Sequence, residues 1–172
     1  MKRISVAAIV VLVFVFLVQT KSSGEIPDVE SQIKEATHLL LGNAASQEEL
    51  VQALAQLIDC ASILSAESKY AAEIKIQLDI AKTEITQKSL FSDKGRQKLA
   101  FAYRMFTEGK QYQPPEELND FVTPQQATEK AKNYIEKLVN NTLKDYKAGN
   151  HLQVAQNLVE LVLMIVTPIQ GS

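Results

Sequence analysis

The chain has 172 residues, a formal net charge of −2, 46% hydrophobic residues and a single cysteine. One domain's length is enough to bury a sizeable core, and one cysteine excludes an internal disulfide, so packing alone must hold the fold. A net acidic chain is also a poor general binder of nucleic acid, which needs Lys and Arg to displace counterions from phosphates.

Lys2 and Arg3 precede an apolar run from Ile4 to Val18 that only Ser5 interrupts, and the polar residues Gln19 to Ser23 follow at once. Basic start, short apolar middle and polar exit are the order of a secretory signal. The run is short for a span, since crossing about 30 Å of hydrocarbon takes about 20 helical residues. Residues 1–24 are therefore read as a signal peptide, with small residues permitting cleavage before Ser23 or before Glu25. The alternative is an uncleaved anchor through residues 4–20. No cysteine follows the run to receive lipid, which disfavours a bacterial lipoprotein. Removing Lys2, Arg3 and Lys21 leaves 15 basic against 20 acidic residues in positions 25–172, a net charge of −5.

From Ile26 onward apolar residues recur at helical spacing and no stretch alternates as a strand does, so the predicted class is all-α. The first helix starts near Asp28, turns Val29, Ile33, Ala36 and Leu40 to one side, and ends at Gly42-Asn43 in a left-handed glycine cap. Ser46 followed by Glu49 is a capping box that opens the second, whose seam is Leu50, Leu54, Leu57, Ala61 and Leu64. After a break or bend near Ser65, a third segment runs to about Lys88 with Ala71, Ile74, Leu78, Ala81 and Ile85 inward. Ile76 and Ile80 lie off that stripe and point to a second neighbour. The fourth helix carries Leu99, Ala102, Tyr103 and Phe106 and is closed by Gly109. Pro114-Pro115 then breaks the chain in a loop over residues 110–123. Thr123, Pro124 and Gln126 mark the start of a fifth helix with Ala127, Ala131, Tyr134, Leu138 and Tyr146, stopping near Gly149. Asn150 is placed to cap the sixth, which from Leu158 to Val166 is apolar on almost every side except Glu160 and is predicted to be the central helix, ended by Pro168.

Charge is segregated along the chain. Glu25 to Glu67 carries a net −7, Lys69 to Lys110 a net +4, and the remainder −2. Complementary packing of the acidic first helices on the basic middle ones is one use of this; a basic partner-binding face is another; solvated helix faces explain such runs most often. Phe101, Tyr103, Phe106 and Tyr112 precede the proline loop and Phe121, a set that either lines a groove beside the basic residues or packs the loop onto the bundle. The candidate partner or ligand surface is accordingly Lys94, Arg96, Lys98, Tyr103, Arg104, Tyr112 and Phe121.

Motifs for chemistry are sparse. Glu35 and His38 share a helical turn as metal ligands do, but a di-iron bundle needs a second such pair, and Ala148 stands where the partner of His151 would be. There is no C-x-x-C-H, and a haem held by His38 or His151 with Met105 or Met164 has no supporting spacing; the methionines read as core filler. Gly-x-Ser-x-Gly, phosphate-binding glycine loops and His-Glu-x-x-His are all missing, and the adjacent pairs Glu48-Glu49 and Glu116-Glu117 do not converge on a helix. No catalytic, cofactor-binding or metal residue is therefore assigned. Cys60 reads as a small buried hydrophobe, with an intermolecular disulfide or reactive thiol as the alternative. Asn140-Asn141-Thr142 matches a glycosylation sequon that matters only in a eukaryotic secretory pathway.

The expectation is an irregular bundle of five or six helices in residues 25–172, after the signal peptide. A short array of helical hairpins of tetratricopeptide-like type is the alternative, since Gly109 and Gly149 each close a tyrosine-bearing helix. Their separation is 40 residues against about 34 in such arrays. The expected function is non-catalytic: a secreted or periplasmic protein that interacts with a protein partner or with its own copies, or a structural component of the cell envelope. An extracytoplasmic carrier of a small apolar or anionic ligand is the second reading, and an enzyme or metalloprotein the third. Nucleic acid is not expected as a partner, and membrane only if the N-terminal segment stays uncleaved.

Overall fold

Caps and turns set the element boundaries. The computed structural model describes residues 28–118 and 124–167, and every element among them is helical. Helix α1 (Val29–His38) opens with the Asp28 carboxylate accepting from the Ser31 N–H at 3.2 Å, and it continues into a π-helical turn, Leu39–Asn43. Gly42 takes φ +97° there, the left-handed cap expected from the sequence. Helix α2 (Gln47–Leu64) opens with the Ser46 hydroxyl accepting from Glu49 N–H at 3.2 Å. The Glu49 carboxylate reaches back to the N–H of Ala45 at 2.7 Å, one residue beyond the usual partner of a capping box. A 3-10 turn (Ser65–Glu67) leads to α3 (Ala71–Gln87), then α4 (Asp93–Phe106), a 3-10 turn (Glu116–Leu118), α5 (Pro124–Lys147) and α6 (His151–Val166). The signal-peptide or anchor reading of residues 1–24, Phe121 and Pro168 lie outside the described residues.

Helix α6 packs against α2, α4 and α5, while α2 also meets α1 and α3. Val154, Leu158, Leu161, Val162, Leu163 and Val166 of α6 are all buried, which makes it the central helix as its all-round apolar sequence predicts. Each such side chain contributes about 1.5–3 kcal/mol through the area it removes from water. The stretch Gln47–Glu67 is, by length and composition alone, apolar enough to cross a membrane. Of its seam, Leu54, Leu57, Ala61 and Leu64 are buried in the bundle and Leu50 is half-buried, the environment of a core helix. Cys60 is buried as well, its thiol 3.5 Å from the Gln32 carbonyl oxygen, and burial followed by the neighbouring Asp59 charge pushes it up to about 11.

Two expectations need correcting. Asn150 does stand at the N-terminal cap of α6, yet its side chain makes no capping bond and donates instead to the Asp145 carboxylate at 3.3 Å. That carboxylate also accepts from buried Asn157 at 3.4 Å, so the α5–α6 turn is held by a polar network in which Gly149, at φ +77°, permits the reversal. Helix α3 does touch two neighbours, α2 and α4, but Ile76 is 55% exposed and serves neither.

The α3–α4 hairpin carries the most extensive helix pairing in the bundle, and its connecting end is tightly closed. Glu84 of α3 is buried, and its carboxylate accepts from Lys88 at 2.9 Å, from Lys94 of α4 at 3.0 Å and from the Ser92 hydroxyl at 3.3 Å. Hydrogen bonds from Lys88 and then Lys94 hold its carboxyl below the usual range. Gly95 lets the helices approach: a Cβ there would lie 3.3 Å from Ile85 Cγ1 and 3.4 Å from Glu84 Cβ.

Candidate functional site: the open end of the α3–α4 hairpin

At the other end of this hairpin, where α3 begins and α4 finishes, the helices part around a groove. It is open to solvent, holds about 540 Å³, and is lined by Lys69, Tyr70, Phe101, Arg104, Met105, Glu108 and Gly109. Local bonding builds each wall. The Ser68 hydroxyl accepts from the N–H of Tyr70 at 3.1 Å and fixes the entry to α3. The end of α4 is closed by a bond from the N–H of Gly109 to the carbonyl of Arg104 at 2.8 Å, the six-residue closure of a Schellman turn. Gly109 closes the helix as the sequence led one to expect; the closure places it at φ +101° and also Glu108 at φ +54°, where a side chain is strained.

The walls are apolar and the rim is charged. Phe101 is 46% exposed and Tyr70 39%, while half-buried Met105 joins the groove to the core behind it. The Lys69 ammonium lies 5.0 Å from the centre of the Tyr70 ring, a cation–π distance. Among the described residues neither Lys69 nor Arg104 nor Glu108 takes part in an ion pair, in contrast to Glu84, Lys88 and Lys94 at the closed end. The groove therefore offers aromatic surface and charges of both signs for association. Its lining includes no Ser, Thr, Cys or His side chain.

The sequence-derived surface residues separate in the structure. Arg104 lies in the groove. Lys94 is committed to Glu84, and Arg96 pairs with Asp93 within its own helix. Lys98 is half-buried on α4. Tyr103 and Tyr112 stack edge to face, ring centres 5.6 Å apart at 81°, and tie the chain after α4 back onto the bundle. Burial raises both phenols above their usual range, with the Glu160 charge adding to it, and Glu160 itself accepts from Tyr134 at 2.8 Å. The Tyr112 hydroxyl is buried with no hydrogen-bond partner among the described residues. The aromatic set thus divides: Tyr103 and Tyr112 face inward, whereas Phe101 faces out into the groove.

Sequence reasoning did not single out Lys69, Tyr70 or Glu108. They reach Phe101 and Arg104 only because the hairpin folds back, and no local spacing signals that meeting. Glu35 and His38 are both exposed, and the His38 carbonyl accepts from the Asn43 amide at 2.8 Å. No group of three metal-ligating side chains occurs among the described residues. His151 stands 3.6 Å from Glu67 and near the Tyr146 ring, linking the start of α6 to the turn before α3. No known family model matches the chain, and no curated protein or solved structure is significantly similar to it.

Proposed function

We propose that this chain is an exported, non-catalytic helical protein that acts by protein–protein interaction through the open end of the α3–α4 hairpin. The observation that carries the reading is the groove: two exposed aromatic rings flanked by two cations that no carboxylate of the described chain neutralises. Aromatic and arginine side chains are the residues that most often carry binding energy at protein interfaces. Export rests on the order of charges and apolar residues in positions 1–24.

Photo-crosslinking tests the reading directly. With p-benzoylphenylalanine in place of Phe101, ultraviolet irradiation of the native producer is expected to give a protein adduct. The adduct should weaken at least several-fold when Arg104→Ala is added. No protein adduct, or one indifferent to Arg104, overturns the reading. The carrier alternative draws on the groove volume, which falls in the size range of small-molecule sites. It predicts a co-purifying small molecule in the native mass spectrum instead.

A further inference from the structure

We infer that the segment following α4 is a strap latched by Tyr112, and that its opening dismantles one wall of the groove, so that the strap regulates binding there. The inference rests on the protein-binding reading above and adds a control on it.

Residues 110–118 lead away from α4 at a gap in the bundle. Helices α4 and α5 both pack on α6 but, among the described residues, not on each other. Tyr112 packs on the core beside all three. Its ring meets Tyr103 of α4 edge to face, and its phenol is raised by burial first and then by Glu160 of α6 and Tyr134 of α5. The chain around it is held by little else. Among the described residues no hydrogen bond joins positions 111–116 to a helix, and Gln111, Gln113, Pro114 and Glu116 are exposed. Buried Leu118 anchors the far end, where its turn meets α5. Segments with few buried contacts and no helical hydrogen bonds are the ones that open locally in a native protein.

The latch is set weakly. Tyr112 gives its ring to the core, but its hydroxyl is cut off from water without a partner among the described residues, and Glu160 Oε1 accepts from Tyr134 instead. Lifting the strap returns that hydroxyl to water, so burial of the ring and desolvation of its oxygen oppose each other. The strap also has a hinge, and the hinge belongs to the groove. Glu108 and Gly109 join α4 to the strap at φ +54° and +101°, and both line the groove beside Arg104. Tyr112 lies three residues beyond Gly109, which leaves no slack between latch and hinge. A rotation that releases the strain at Glu108 therefore carries the wall of the groove with it.

Trypsin reads the opening. Lys110 is exposed and is the one lysine or arginine between Arg104 and Lys130, and cleavage after it follows the population of opened chain. On the folded protein, Tyr112→Ala should speed that cleavage at least tenfold and leave the helical circular dichroism unchanged. Tyr112→Phe keeps the ring and removes the unpaired oxygen, and should slow it at least threefold, a result that misfolding does not produce. In the crosslinking experiment above, Tyr112→Ala should lower the adduct at position 101 at least fivefold with Arg104 untouched, and Tyr112→Phe should retain it. Cleavage indifferent to Tyr112→Ala, or as fast in Tyr112→Phe as in the parent, overturns the latch. Faster cleavage with an undiminished adduct overturns the link to the groove and leaves the protein-binding reading standing. If the parent itself gives no adduct, that reading and the regulation fall together, while the cleavage rates still decide the latch.

Discussion

The two ends of the α3–α4 hairpin treat charge in opposite ways. At the closed end, Glu84 is surrounded by Lys88, Lys94 and the Ser92 hydroxyl, and Gly95 removes the side chain that would keep the helices apart. At the open end, Lys69, Arg104 and Glu108 have no ion-pair partner among the described residues, aromatic rings face water, and Glu108 holds a strained backbone angle. One end is arranged to stabilise the monomer. The other leaves surface and charge available, the usual arrangement of a functional site on a rigid scaffold.

Substitutions at each end should separate these roles. The largest effect belongs to Gly95→Leu, whose side chain must displace Ile85 and Glu84; a loss of about 2–3 kcal/mol is expected from overpacking, measured by urea unfolding. A variant as stable as the parent would mean that the closed end is looser than its geometry. Glu84→Gln acts through pH. The folded carboxyl lies below its ordinary value of 4.5, so its contribution is fully present above that value and is lost as pH falls through the lower folded value. The parent's stability should therefore decline with acid in that window more steeply than the variant's, and parallel acid-unfolding curves would remove Glu84 from the clamp.

At the open end the effects on folding should be smaller and of different sign. Glu108→Gly relieves a left-handed side chain and should stabilise by about 1 kcal/mol, visible as a raised Tm. No change in Tm would mean that Glu108 adopts this angle without strain. Smallest of all is Phe101→Ala: within about 0.5 kcal/mol of the parent in stability, as for surface sites generally, while association at the groove falls at least tenfold. Loss of folding with loss of binding would make Phe101 part of the core.

What the sequence revealed follows the range over which its signals act. The Ser46 and Glu49 cap, the left-handed Gly42, the helix ends at Gly109 and Gly149, and the apolar periodicity of α6 are all set within a few residues, and all appear as expected. Periodicity tells which way a side chain points but not what it meets. Lys94 therefore read as an open basic surface although its partner Glu84 lies on the preceding helix, and Ile76 read as a packing residue although it faces solvent. Asn150 read as a cap, but the Asp145 carboxylate competes successfully for its amide. The groove was least legible, because Lys69 and Tyr70 join Phe101 and Arg104 only through the hairpin fold.

The placement of Cys60 has a practical consequence for detecting partners by gel electrophoresis. The thiol is shut inside the bundle and largely protonated below about pH 11, so two folded copies cannot bring their sulfurs together. A covalent dimer on a non-reducing gel would thus report chains that had opened. The one sulfur able to bridge copies becomes a built-in marker of unfolding, and reversible association has to be followed in native conditions.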